Sequence, residues 1–181
     1  FKLNPSAGLV YSWSDYINSE GQFLCAGKRV LASKNAEDTY AKLLVSNFLE
    51  NGSTPLIRVD VLKESGGFDA SLKSSQDLDL YLRISEKYSF ITVPKVQVKY
   101  RVKPGSITSR IAENEQAQLE IIAQTFARAP EKYKHLKRKR LSNFYRYLML
   151  RTVEEKNGFI SGFRAFRYLI FMIFYQPLIV I

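Results

Sequence analysis

The stretch SGGFDASLKSSQDLDLYLRISEK, Ser65 to Lys87, sets the tightest limits on how this chain can fold. Gly66 and Gly67 together allow backbone angles that a Cβ would forbid, so a sharp turn is expected there. Phe68 reads as an aromatic anchor behind the turn, and a short polar loop follows. Ser75 is the candidate N-cap of a helix whose first turn holds Gln76 and Asp77. In that helix Leu78, Tyr81 and Leu82 share one face, while Leu80 and Ile84 form a second apolar pair at i, i+4. A helix apolar on two faces is buried on most sides, with its N-terminus turned toward a loop. An acid held at such an end is either a cap or a catalyst.

The flanking sequence supplies a mixed α/β setting. Gly8–Ser14 is rich in β-formers, Asn18–Gly21 is a turn, and Gln22–Ala26 reads as the returning strand of a hairpin. Asp38 is the candidate cap of a helix over Thr39–Glu50, where Leu43, Leu44, Phe48 and Leu49 recur at helical spacing and Asn51-Gly52 marks the stop. Thr54–Val59 reads as a strand and Asp60–Glu64 as a short helix. Tyr88–Val93 and Lys95–Val102 read as two strands broken at Pro94, with Val96, Val98 and Tyr100 alternating against Gln97, Lys99 and Arg101. Pro104-Gly105 closes that part. Helices are then expected over Ile111–Arg128, Lys132–Glu155 and Gly162–Tyr175. The mixed part and the helical part meet near Ser106–Arg110, giving a division into residues 1–108 and a helical extension over 109–181.

A chain of 181 residues is long enough for one domain with a proper core plus such an appendage. Its single cysteine, Cys25, excludes an internal disulfide and a thiolate zinc cluster, and its single histidine, His135, excludes His-based triads and multi-His metal sites. The cytosol is the default location. Charge is uneven: residues 1–110 hold 15 basic against 11 acidic side chains, residues 111–181 hold 12 against 6, and the excess is densest in Glu131–Arg140. Such a run serves nucleic acid, an anionic membrane surface, or simply a solvated helix face, the last being the commonest use. The start, FKLNPSAGLVYSW, has neither an initiator Met nor the pattern of a signal peptide, and reads as part of a longer protein. The uncharged segment from Tyr168 to Ile181 is 14 residues, short of the ~20 that a membrane-crossing helix needs. A helix docked on the protein and ending before Pro177 is favoured over an interfacial anchor flanked by Arg164 and Arg167.

The two acids of the central helix differ in their neighbours. Asp79 has Arg83 four residues on, the favourable order for a helical ion pair. Asp77 has Leu80 and Tyr81 at the corresponding positions, so no local cation claims it. A first-turn position stabilises negative charge by a few tenths to ~1 kcal/mol. On pattern alone capping stands above catalysis, since acids in first turns are common.

The stretch GGFDASLKSSQDLDLYLRI resembles the acceptor-side motif of family 2 glycosyltransferases of the GT-A fold: a Gly-Phe-Asp turn, a short loop, then Glu-Asp-x-Asp and an apolar helix carrying an Arg. Here these are Gly67-Phe68-Asp69, Gln76-Asp77-Leu78-Asp79 and Arg83. VYSWSDYINSEGQF is similar to the family's strand and turn that follow its metal-binding acids. NGSTPLIRVDVLKESGGFD is similar to the segment that joins the acceptor site to the motif. KYSFITVPKVQVKYRVKPGSIT is similar to closing strands that end in Tyr-Arg-x-His-x-x-Ser. The likeness covers about residues 8–110.

The resemblance implies a partial GT-A-like mixed sheet with helices, followed by an all-helical C-terminal extension. It implies an inverting transfer of a sugar from a nucleotide-diphosphate sugar to a hydroxyl acceptor, free or lipid-linked, with Asp77 at the position of the family's general base. Gln76, Asp79, Arg101 and Lys103 fall at substrate-binding positions; Gln76 replaces the usual Glu and Lys103 a frequent His. A divalent cation, Mg or Mn, is expected in the full-length enzyme through an Asp-x-Asp absent from this chain, and none is expected on these residues. The only such pair here, Asp77-Leu78-Asp79, belongs to the acceptor side. The nucleotide-binding half is therefore expected elsewhere in the protein, leaving these residues inactive alone. A peripheral contact at the inner face of the membrane suits the basic helices, and nucleic acid is not expected as a partner. The alternative is a non-catalytic binding or scaffold module that uses those helices on an anionic membrane or nucleic acid.

Overall fold

The computed structural model describes residues 1–32, 35–72, 75–103, 115–154 and 158–176. The chain divides into two compact units, one of residues 1–43 and 47–104, the other of 44–46 and 105–181.

The first unit is built on β1 (Ala7–Ile17), whose inward residues Ala7, Leu9 and Tyr11 are buried. β2 (Phe23–Ala26) returns antiparallel beside its end, with Tyr16 opposite Cys25, and β3 (Pro55–Ile57) pairs antiparallel near its start. β4 (Ser89–Arg101) lies parallel to β1 over its whole length, so the four-stranded sheet is mixed. This is the α/β architecture that the sequence suggests. It departs from expectation at Pro94, which interrupts nothing. Ser12 pairs with Val93 and Trp13 with Val96, so Pro94 and Lys95 sit in a bulge of one continuous strand. The only pairing of β4 among the described residues is with β1, and a proline is tolerated on such an edge or in a bulge.

Helix α1 spans Ala36–Val45, earlier than expected at both ends. Asn35, not Asp38, accepts the Glu37 backbone N–H on its side-chain oxygen (2.8 Å), while Glu37 and Asp38 lie in the first turn. Phe48 and Leu49 are buried as expected, but from a loop rather than a helix. Phe48 packs against Tyr11 at 5.8 Å between ring centres. The short α2 (Val59–Glu64) leads into α3 (Gln76–Ser85), whose Leu78, Leu80, Tyr81, Leu82 and Ile84 are all buried. Glu64 at the end of α2 binds both Lys87 Nζ (2.8 Å) and the Tyr88 hydroxyl (2.5 Å), fixing the corner between α3 and β4.

The second unit is helical: α4 (Glu115–Arg128), a 3₁₀ turn at Glu131–Tyr133, α5 (Leu136–Glu154) and α6 (Gly158–Tyr175). α5 starts at Leu136 rather than Lys132 and α6 at Gly158 rather than Gly162, while the expected start at Ile111 and Pro177 fall outside the described residues. α5 and α6 run antiparallel around Tyr145, whose ring lies 4.9 Å from Phe171, 5.9 Å from Tyr175 and 6.0 Å from Tyr168. Glu115 ties α4 to α6 by accepting from Arg167 (2.5 Å) and the Tyr168 hydroxyl (3.2 Å).

Candidate functional site at the start of helix α3

The turn that feeds α3 is made by Gly66 and Gly67, at φ +77° and +68°. Gly66 and Gly67 donate back to the carbonyls of Lys63 (3.1 Å) and Leu62 (3.0 Å), closing α2. A Cβ on Gly67 would meet nothing within 4 Å, so the backbone angle, not crowding, requires glycine here. Arg83 staples this turn to the helix. It donates to the carbonyls of Ser65 and Gly67 (2.8 Å for the latter) and holds Asp79 Oδ2 through Nε (3.0 Å) and Nη2 (2.7 Å). The i, i+4 pair foreseen from spacing is thus present, and it does more than brace the helix.

Two local readings of the motif differ from the structure. Phe68 is 60% exposed and anchors nothing. The turn is instead held by Arg83, and Asp69 orders the residues after it, its Oδ1 accepting the Ser71 backbone N–H (2.9 Å) and hydroxyl (2.6 Å). Ser75 does occupy the N-cap position, but in the left-handed region (φ +58°, ψ +23°) and with no side-chain capping bond.

At the start of α3 it is Asp77 that accepts a backbone N–H. Its Oδ1 accepts from the Leu78 N–H (2.8 Å), and its Oδ2 faces the Asn47 side-chain amide at 3.4 Å. Both donors are neutral, in contrast to the guanidinium on Asp79. Burial first, and the charge of Asp77 second, push the Tyr81 phenol above its ordinary value, so Tyr81 stays protonated beside the carboxylate. Asp77 is half-buried.

Asn47 is the residue that sequence reasoning missed. It lies two residues beyond α1, in a loop where its Oδ1 accepts the Leu49 N–H (3.2 Å) and its carbonyl accepts Lys28 Nζ (3.2 Å). The same loop holds Glu50 at φ +67°, with Oε2 accepting the Lys28 N–H at 2.7 Å. Gly27 lies beneath it: a Cβ there would come within 2.6 Å of the Ser14 carbonyl and 2.4 Å of Glu50 Oε2. Asn51 adds a bond to the Ser14 hydroxyl (3.2 Å), tying the loop to β1.

The remaining sequence candidates are placed as follows. Gln76 is exposed and donates to the Leu72 carbonyl at 2.6 Å, spanning the loop before the helix. Arg101 ends β4 and donates to the carbonyls of Asn18 (2.9 Å) and Ser19 (2.6 Å), pinning the β1–β2 turn. Lys103 follows it, exposed. Gln76, Asp77 and Asp79 are therefore brought together in one helical turn, whereas Arg101 and Lys103 belong to the hairpin end of the sheet. Among the described residues no group of three or more His, Cys, Asp or Glu is arranged to hold a metal ion, and Asp79 is engaged by Arg83. This acid pair does not fit a divalent cation. The arrangement can instead accept one proton, at Asp77, beside a helix N-terminus.

The model of a family described as "Glycosyltransferase like family 2" matches residues 1–152. No curated protein matches the chain.

Proposed function

Since the chain belongs to glycosyltransferase-like family 2, whose reaction is glycosyl transfer, we propose that it carries the acceptor half of an inverting transferase with Asp77 as the general base. The observation that carries this reading is the division of labour between the two acids of α3. Asp79 neutralises Arg83 and fixes the turn, whereas the donors to Asp77 among the described residues, the Leu78 N–H and the Asn47 amide, are neutral.

In the proposed step, an acceptor hydroxyl gives its proton to the Asp77 carboxylate as its oxygen attacks the anomeric carbon. The bond from that carbon to the donor's phosphate oxygen breaks on the opposite side, and the electron pair leaves with the nucleoside diphosphate. The chain's residues orient and deprotonate the acceptor; Gln76, Arg101 and Lys103 are offered as substrate contacts. The nucleotide sugar and the Mg or Mn that would serve its diphosphate are assigned no residue here. Transfer is therefore expected of the complete enzyme and not of residues 1–181 alone. The acceptor is a hydroxyl on a sugar or lipid-linked sugar, met on the cytoplasmic side.

Product stereochemistry tests the direct displacement. Proton NMR of the product should show the anomeric configuration opposite to that of the donor, and retention would overturn the single-displacement reading. Asn47 positions the base in this scheme. Asn47→Ala is expected to lower kcat by roughly threefold to tenfold, about the worth of one ordinary hydrogen bond, as suits a 3.4 Å contact, with little change in acceptor KM. A rise in KM with kcat intact would instead make Asn47 a binding residue.

A further inference from the structure

Helix α6 is apolar on a side that none of the described residues covers. Its inward residues, Tyr168, Leu169, Met172 and Tyr175, recur at i, i+1, i+4 and i+7 and are buried or half-buried. That single stripe satisfies its packing on α5. The opposite side would ordinarily be polar. Instead it carries Phe163 (70% exposed), Phe166 (60%), Ile170 (52%), Ile173 (48%) and Phe174 (67%). Their spacing keeps them on one continuous outer stripe of about three turns.

Cations border that stripe. Arg164 and Arg167 lie within its first half, both exposed, Arg167 being paired with Glu115. The antiparallel packing brings the basic start of α5 to its other end, where Arg138 donates to the Phe174 carbonyl (3.4 Å) and Lys137 and Lys139 are exposed beside it. No helix among the described residues is long and apolar enough to cross a membrane. An exposed aromatic stripe edged by Lys and Arg, on a helix not long and apolar enough to cross, matches the chemistry of an interfacial helix. A second copy is the poorer occupant, because stacking two such faces would set the same cations against each other.

We propose that the outer stripe of α6, with the basic start of α5, docks on an anionic bilayer surface, placing Phe166, Ile170 and Phe174 at the level of the headgroups and the positive side chains on lipid phosphates. This stands independently of Asp77 and of the transfer reading.

Flotation of the full chain with phosphatidylglycerol-rich vesicles, against pure phosphatidylcholine, tests it. Retention is expected on the anionic vesicles, weakening as salt is raised. Phe166→Ser with Ile170→Ser should weaken retention about tenfold or more. Lys137→Gln with Lys139→Gln should weaken it about fivefold per lysine and flatten the salt dependence. All four positions are exposed, so both double variants should fold, as circular dichroism would show. Failure of the wild type to bind anionic vesicles, equal retention on both vesicle types, or indifference to the stripe variant would overturn the proposal. Light scattering on the same samples completes the test: a wild-type dimer made monomeric by the stripe variant would give the face to a second copy and overturn the lipid assignment.

Discussion

Asp77→Asn in the complete enzyme is expected to lower kcat by about 10²–10⁴-fold, the usual contribution of a positioned general base, with acceptor KM nearly unchanged. The substitution is mild for the fold. Asparagine keeps an oxygen for the Leu78 N–H, and only the 3.4 Å approach of the Asn47 amide is lost or reversed. Asn47 cannot freely turn its own oxygen to compensate, because that oxygen already accepts the Leu49 N–H. The thermal midpoint should therefore move little while turnover collapses. Asp79→Asn should behave in the opposite way. It removes the charge that holds Arg83, so the Gly66-Gly67 turn loosens and stability falls, with turnover affected only through that loosening. Measuring kcat and melting temperature for both variants separates the two roles. Near-normal transfer by Asp77→Asn would remove Asp77 from the chemistry and leave the start of α3 as a capped structural helix.

Much of this site could be read before any coordinates, because it is local. Turn, helix and ion pair all lie within Ser65–Lys87, where glycine angles, a 3.6-residue apolar period and an i, i+4 charge pair act over short distances. Asn47 was not legible, for a physical reason. Leu43, Leu44, Phe48 and Leu49 are spaced as in a helix, but α1 stops at Val45. Side chains then take over the backbone groups: Asn47 meets Leu49 N–H, Asn51 meets Ser53 N–H (3.0 Å), and the Thr54 hydroxyl meets the Leu49 carbonyl (3.3 Å). Short polar side chains compete with the helix for its own hydrogen bonds, and periodicity cannot show which wins. Ser75 takes the N-cap position that its residue type suggests, but with a left-handed backbone and no side-chain capping bond, which a residue-type preference does not show. Pro94 misled because a proline breaks a strand only where its missing N–H is needed, and β4 pairs with β1 alone among the described residues.

Leu80→Ala should be the most destabilising simple truncation near the site, by about 2–5 kcal/mol. Leu80 is 0% exposed, and it lies on the face of α3 that Ile84, also 0% exposed, continues. The lost methyl groups leave a cavity that a helix held on several sides cannot close by shifting. α3 is tied to the Gly66-Gly67 turn through Arg83 in its last turn and held beyond its end by the Glu64–Lys87–Tyr88 corner. Those same restraints should keep the Asp77 geometry in the molecules that remain folded. Urea unfolding is therefore expected to show a lower midpoint with an unchanged slope, whereas kcat per folded enzyme at low temperature stays near wild type. Gln76→Ala, at the exposed first residue of α3, is expected to stay within about 0.5 kcal/mol. A small loss for Leu80→Ala would mean that α3 is not part of the core. The site would then rest on a mobile helix, and the case for Asp77 as a fixed base would weaken with it.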